Sequence, residues 1–318
     1  MSKMSTEVVP QPLALRRHAL SGPTMGSRWS AVFWSNAKVD ADALTRRLQA
    51  AVDRVEQQMS AWRRDSDLER LNAAPVGAWM AIPRELARVL ATALDIGRRS
   101  EGAFDIGVGD LVRAWGCGGG SRTPDAELIA GVAGRPSFEP PKTLQLDMAG
   151  GRARRLAPLR LDLSGIAKGF GVDELARELG ATGCSCWLVG IDGEMRAEGV
   201  KPDGRPWAVA HEKPVPGARE VLGVLELSGA AVATSGSYRH GVEVGGRTIS
   251  HTMDPGRGAP LENDLSAVTV LAETCMAADA WATALLVAGA ARGPELARRQ
   301  GLAALFVQTD GEVLEAWP

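Results

Sequence analysis

The alternation of apolar and polar positions divides the chain into short, mixed elements. Residues 29–34, WSAVFW, are aromatic and β-branched and predict a first strand. From Asp40 the period lengthens: Leu44, Leu48, Val52, Val55 and Met59 recur at spacings of three and four, with Arg and Glu between them, which predicts an amphipathic surface helix. It runs out in a polar loop, Ser60–Asp65, that carries one large aromatic, Trp62. Pro83 suits the first position of a second helix whose inward face is Leu86, Val89, Leu90, Ala93 and Ile96. Residues 100–105 read as a loop, followed by a glycine-rich stretch through Gly120. Residues 121–150, punctuated by Pro, Gly and Ser, predict irregular structure.

In the second half, residues 156–163 predict a strand that runs into the turn SGIAKG at Ser164–Gly169, with a helix over Val172–Leu179. Short strands are predicted at Trp187–Ile191, Trp207–His211, Val221–Leu227, Gly241–Val244 and Ala267–Leu271. An apolar helix spans Met276–Val287, Pro294 starts a short one, and Leu305–Gln308 is a last strand. Strands that come in runs, not in strict alternation with helices, predict an α+β fold with mostly antiparallel sheets and packed helices. A length of 318 residues suggests two domains or one large one, with an approximate divide near residue 150.

Composition narrows the function. Thirty-six basic against 38 acidic residues give a formal charge of −2, which argues against a general nucleic-acid or anionic-membrane binder. Four cysteines, at 117, 184, 186 and 275, make no CxxC pair and no zinc spacing. Residues 1–22 lack the apolar run of about 7–15 residues of a secretory signal. They are expected to be a flexible N-terminal segment. No stretch approaches the roughly 20 apolar residues of a membrane-spanning helix, so no direct membrane insertion is expected. The expected compartment is the cytoplasm, or the periplasm if an export signal precedes this sequence. Only six lysines and four histidines are present, so each is a distinctive chemical group.

Several segments could carry chemistry. Asp162–Gly169 (DLSGIAKG) places a lysine, Lys168, in a glycine-bearing turn before a helix, a shape that suits a phosphate, although an ordinary strand-to-helix turn also accounts for it. The Walker A spacing is absent. Asp279 and Thr283 lie four apart in the apolar helix and so on one face, where a carboxylate and a hydroxyl can hold a hard cation such as Mg²⁺. The alternative is local capping and back-bonding. His251 precedes a tight loop, Asp254–Gly258 (DPGRG), and can present an imidazole to a cleft. A Ser235/His251/Asp254 triad can be drawn, but no G-x-S-x-G elbow supports it.

Taken in order, six segments resemble the ApbE family of flavin transferases: TMGS at 24–27, SAWRRDSDLERLN at 60–72, SEGAFDIGVGDLVRAWG at 100–116, LDLSGIAKGFGVD at 161–173, ATSGSYRHGVEVGGRTISHTMDP at 233–255 and AADAWATALLVAG at 277–289. The resemblance runs from about Gly22 to Val307. It implies one domain over residues 23–316, with two subdomains forming a shared flavin-binding cleft. It further implies Mg²⁺-dependent transfer of the FMN part of FAD onto a Ser or Thr hydroxyl of an acceptor protein, with AMP leaving. By this resemblance Met25, Trp62, Ala103, Phe104, Asp105, Asp162, Lys168 and Met253 contact FAD, with Trp62 as a stacking platform. A backbone oxygen at Gly165 and the side chains of Asp279 and Thr283 hold the metal. His251 is the implied base, with Asp254 and the metal-holding Asp279 as its alternatives and Lys168 stabilising charge.

Three departures qualify the implication. Arg257 stands where relatives carry a small hydroxyl residue, so the loop is expected either to rearrange or to offer a charge to the diphosphate. Asp192 replaces the first glycine of a G-G-acid turn completed here by Gly193 and Glu194, and Gly107–Asp110 departs from the family pattern after Asp105. FAD pyrophosphatase activity, giving FMN and AMP, and FAD binding without turnover are the alternative readings.

Overall fold

The computed structural model describes residues 15–36, 38–117, 123–132, 142–214, 220–236, 242–244 and 247–318. Its central feature is an eight-stranded antiparallel sheet. The strands are β1 (Arg16–Thr24), β2 (Ser27–Ser35), β3 (Trp187–Ile191), β4 (Glu194–Glu198), β5 (Ala230–Gly236), β6 (Leu265–Ala272), β7 (Ala303–Gln308) and β8 (Val313–Ala316), and they lie side by side in that order. Helices α1 (Ala41–Met59), α2 (Asp67–Ala73), α3 (Arg84–Arg99), α4 (Gly109–Ala114), α5 (Ala126–Val132) and α6 (Ala167–Gly180) fall between β2 and β3. The long helix α7 (Cys275–Arg299) joins β6 to β7. The fold is α+β.

Side chains alternate across a strand, so each strand serves two faces. On one face Trp29, Ala31 and Phe33 of β2 and Trp187, Val189 and Ile191 of β3 pack against Leu44, Leu48 and Val52 of α1 and Val172, Leu175 and Leu179 of α6. On the other, Val32, Trp34 and Leu188 meet a two-stranded hairpin, Trp207–Glu212 with Val221–Leu227, through Trp207, Val209 and Leu227. The predicted apolar stripe of α1 is the buried one, and Asp40 caps the helix by accepting from the Ala43 amide at 2.9 Å. A third cluster joins Leu86 and Leu90 of α3 to Leu161, Leu163, Phe170, Trp281, Leu285, Val270 and Phe306. One continuous core therefore takes residues from both sides of position 150.

Several expectations need correction. Residues 16–22 are not a flexible tail: they belong to β1, paired with β2 along its whole length, because the edge backbone of β2 is satisfied by a partner strand. Residues 1–14 lie outside the described residues. Within 121–150, α5 and the strand Leu144–Asp147 replace irregular structure, and 133–141 lie outside the described residues. The strand expected over 156–163 is absent; the pairing strand is Arg152–Arg155, in a small sheet with Met80–Ala81 and Leu144–Asp147. The backbone of Leu161 is held by a side chain: its amide donates to Asn72 Oδ1 at 2.8 Å and its carbonyl accepts from Asn72 Nδ2 at 2.9 Å. Helix α6 begins at Ala167, five residues earlier than expected, and α7 runs past Pro294 after a kink at Gly289 (φ 76°). Asn263 Nδ2 bonds the Leu286 carbonyl near the kink at 2.7 Å. No helix among the described residues is long and apolar enough to cross a membrane.

Asn72→Ala removes both bonds and leaves a buried amide and carbonyl unpaired, which is expected to cost about 2 kcal/mol or more in unfolding free energy by denaturant titration. A loss under about 0.5 kcal/mol would show that the segment is held by its packing alone.

Candidate active site

A cleft of about 840 Å³ opens between the helical layer, the hairpin and the loops at one end of the sheet. Its floor is a helix crossing. Gly169, in the first turn of α6, lies so close to α7 that a Cβ there would stand 2.3 Å from the Cys275 carbonyl oxygen and 2.7 Å from Asp279 Cβ. The approach lets the Gly169 amide donate to Asp279 Oδ2 at 2.9 Å. It also sets Lys168 and Asp279 side by side on the cleft wall. The same crossing is braced by Asp173, whose two oxygens accept from the Cys275 and Met276 amides at 3.0 Å each, while Arg196 of β4 donates to it at 2.7 Å. A carboxylate at the start of α7 satisfies donors that the helix cannot.

The sequence pattern puts Lys168 in a turn; in the structure it sits within the helix. Its ammonium bonds Glu194 Oε1 at 2.7 Å and lies 3.8 Å from Asp192 Oδ2. Burial pulls the lysine pKa down, but Glu194, Asp279 and Asp192 together hold it above the ordinary value. Burial raises Asp279 to about 6 and Glu194 to about 7, with Lys168 opposing in both cases. Below them, a methyl at Gly165 would meet Thr283 Oγ1 at 3.0 Å and Phe104 at 3.3 Å, so this glycine lets its backbone lie against the α7 hydroxyl. Thr283 Oγ1 in turn shares a hydrogen bond of 2.9 Å with Ser235 Oγ. Ser235 is on β5.

The upper walls are loops. Met25 and Gly26 form the two-residue β1–β2 turn, both with positive φ (46° and 71°). A methionine in that region costs roughly 1–2 kcal/mol. It is held there by a bond from its amide to Glu56 Oε2 (3.2 Å), and the side chain reaches the core beside the cleft. Trp62 is 56% exposed at the rim, its loop pinned by the Ser60 hydroxyl, which accepts from the Trp62 and Arg63 amides at 3.2 Å each. Ala103 and Phe104 are buried, and Asp105 caps the next turn by accepting from the Gly107 amide at 2.6 Å. Buried Asp162, its pKa raised by burial, accepts from the Ser164 amide at 2.8 Å. Met25, Gly26, Trp62, Ala103, Phe104, Asp105 and Asp162 border the cleft.

His251 and buried Met253 border it too, from the loop before the Met253–Asp254/Ala259–Pro260 pair. Asp254 does not. Its Oδ1 accepts from the Gly256 and Arg257 amides (2.9 and 3.2 Å), so it shapes its own turn, while the Ser235 hydroxyl is shared with Thr283. Arg257 does not border the cleft and pairs at the surface with Glu262 (2.9 Å). Asp192 adopts φ 51° and Gly193 110°, an Asp-Gly hairpin turn that needs no first glycine. Residues 237–241 of the fifth resembling segment, and Gly118–Gly120, lie outside the described residues.

Two cleft residues, Glu194 and His211, and the brace Asp173, which does not border the cleft, were given no role by the sequence. Glu194 stood only as the acid of the G-G-acid turn and Asp173 only as the end of the resembling segment at 161–173. His211 could have been flagged as one of four histidines; it is buried, depressed in pKa by that burial, and bonds Thr269 Oγ1 at 2.8 Å, which is itself 2.8 Å from Thr234 Oγ1.

The sequence model of the ApbE family matches residues 25–306. The chain belongs to the ApbE family. It is 34% identical over 324 residues to the FAD:protein FMN transferase of Klebsiella pneumoniae, covering 100% of this chain and 91% of that protein. It is 35% identical over 300 residues to the FAD:protein FMN transferase of Haemophilus influenzae, covering 92% and 87%. The apo crystal structure of the Pseudomonas stutzeri flavinyl transferase ApbE superposes with a TM-score of 0.82 at 37% identity, over 95% of each chain. The flavin transferase ApbE of Vibrio cholerae gives 0.84 at 34%, over 95% and 98%. The six resembling segments are thus those of an ApbE chain, and each contributes residues to one cleft.

The buried carboxyl of Asp279 makes a testable demand. Raised to about 6, it keeps a proton that the unfolded chain releases near pH 4. The stability this represents is full below about pH 4 and is lost as pH rises through 6. Asp279→Asn abolishes the dependence while keeping an oxygen for the Gly169 amide. Its unfolding free energy relative to the parent chain is expected to rise between pH 4 and 8, by up to about 3 kcal/mol at about 1.36 per pK unit. A difference that stays flat across that range would refute the burial argument.

Proposed function

We propose that this chain transfers the FMN part of FAD to a Ser or Thr hydroxyl of an acceptor protein and releases AMP. The observation that carries the reading is the convergence, in one cleft of an ApbE chain, of a rim tryptophan, a helix-borne lysine, a paired carboxylate and hydroxyl, and a histidine. The curated relatives that share its length are FAD:protein FMN transferases.

The residues suit magnesium. Asp279, Thr283 and the Gly165 backbone offer only oxygen, the donor a hard cation prefers. Among the described residues no group of three or more His, Cys, Asp or Glu gathers as a metal cluster. That poverty fits an ion held by one or two protein groups plus substrate phosphates, not one caged by protein alone. When bound, the cation neutralises charge on the diphosphate oxygens.

The rest falls to the chain's own groups. Trp62 offers a face to a planar ring, and Met25, Phe104 and Met253 add apolar surface to the cleft lining. Lys168 supplies positive charge where the diphosphate sits, which matters more than covalent help in phosphoryl transfer. The acceptor oxygen attacks the FMN phosphorus, a new O–P bond forms, and the P–O bond to AMP breaks. His251 takes the hydroxyl proton, a task suited to an imidazole, whose unperturbed pKa lies near 6.5.

Incubation with FAD, Mg²⁺ and an acceptor bearing a Ser or Thr among small residues, read by intact mass, is expected to show a gain of one FMN. Free FMN and AMP without adduct would identify a pyrophosphatase, and unchanged FAD a binding protein. His251→Ala is expected to slow transfer by about 10²–10⁴-fold while flavin fluorescence still reports FAD binding. Transfer by Asp279→Ala that persists at micromolar Mg²⁺ would overturn the cation assignment.

A further inference from the structure

Lys168 has three acidic neighbours, and it chooses between them. Its ammonium is on Glu194 (2.7 Å) and near Asp192 (3.8 Å). Asp279 is close enough to influence it electrostatically, yet makes no ion pair with it among the described contacts. The choice is built into the hairpin. The Asp192-Gly193 turn closes on the pair Ile191 and Glu194, so the Glu194 side chain leaves a rigid two-residue turn and lies on the side of β4 that faces α6. Two residues on, Arg196 uses the same side of β4 to reach Asp173. The Glu194 side chain is 5% exposed, and its second oxygen, Oε2, is buried without a partner. An orphaned carboxylate oxygen is costly where adhesion of α6 to β4 is already served by Arg196 and Asp173.

We propose that Glu194 is a positioning residue that holds the Lys168 ammonium on the β3–β4 side of the cleft and so keeps it off Asp279, leaving that carboxylate available to a divalent cation. The pairing itself is independent of the FMN-transfer reading; its consequence for the cation rests on that reading. An ammonium and a divalent cation compete for the same carboxylate oxygens and repel each other at that distance. Without the Glu194 charge, Asp279 is the strongest buried partner left to Lys168. Asp192 lies nearer, at 3.8 Å, but is more exposed, at 34% of its side chain, so water screens its attraction.

Two measurements on the full chain decide it. The crystal structure of ligand-free Glu194→Gln is expected to show Lys168 Nζ moved to within hydrogen-bond distance of Asp279. Nζ remaining on the substituted side chain, or turned to Asp192 or solvent, would overturn the proposal. The second is Mn²⁺ uptake by the FAD-loaded protein without acceptor, followed by electron paramagnetic resonance. The Mn²⁺ midpoint is expected to weaken at least tenfold in Glu194→Gln and to stay within about threefold of the parent in Glu194→Asp. In Lys168→Met/Glu194→Gln it is expected to match Lys168→Met alone. A double variant as weak as Glu194→Gln would mean that Glu194 acts without Lys168, as a cation ligand or a brace for α6, and would overturn the proposal. If the parent complex takes up no Mn²⁺, the magnesium reading falls, and the position of Nζ alone decides whether Glu194 places the lysine.

Discussion

Gly169 brings α6 and α7 into backbone contact, and most of the cleft depends on that contact. A side chain at this position has no room between the Cys275 carbonyl and Asp279. Because the helices touch, an α6 amide can satisfy one oxygen of a buried carboxylate on α7. The lysine one residue earlier then shares the same wall. Burial makes the carboxylates hard to ionise, and the lysine makes them easier to ionise. The balance leaves acids with pKa values near 6 and 7 beside a firmly charged ammonium. Such a site is polar, dry at its base and short of positive charge, which is the condition in which an incoming cation and a diphosphate stabilise each other.

The sheet explains why this crossing is held still. Asp173 ties the start of α7 to α6 and, through Arg196, to β4. The same strand begins with Glu194 against Lys168. Two ion pairs of opposite sense, set by the period of two along β4, lock one helix to the sheet at two points. The loops above are held by smaller devices: a strained Met25 turn anchored on Glu56, a serine that pins the Trp62 loop, and an aspartate that caps its own turn after Phe104. Rigid walls around a cleft of this kind reduce the reorganisation that a reaction otherwise requires.

Elements with a strong period were readable. The apolar stripe of α1, the aromatic alternation of β2 and the apolar run of α7 each announce an element whose partner surface is large. The misread regions share a cause. Residues 16–24 are weakly apolar and become a strand because β2 offers an unpaired edge. Residues 156–163 look like a strand because they are apolar, but an asparagine distant in sequence supplies the hydrogen bonds that a neighbouring strand supplies elsewhere. Asp254 looked like a catalytic acid beside a histidine; it lies off the cleft lining, with one oxygen in its own turn.

By itself the sequence determined the family, the α+β class and the segments that carry chemistry, because these are properties of residue order and of short-range spacing. It also carried the Asp279/Thr283 pair, since a helix places positions four apart on one face wherever it packs. Only the tertiary structure decided which charges meet. Lys168 lies 26 residues from Glu194 and Asp173 lies 102 from Cys275, distances over which no local rule operates. Those encounters follow from how closely two helices approach and from where a hairpin turn closes. Both are settled by volume and by backbone hydrogen bonding across the whole core, which no window of sequence contains.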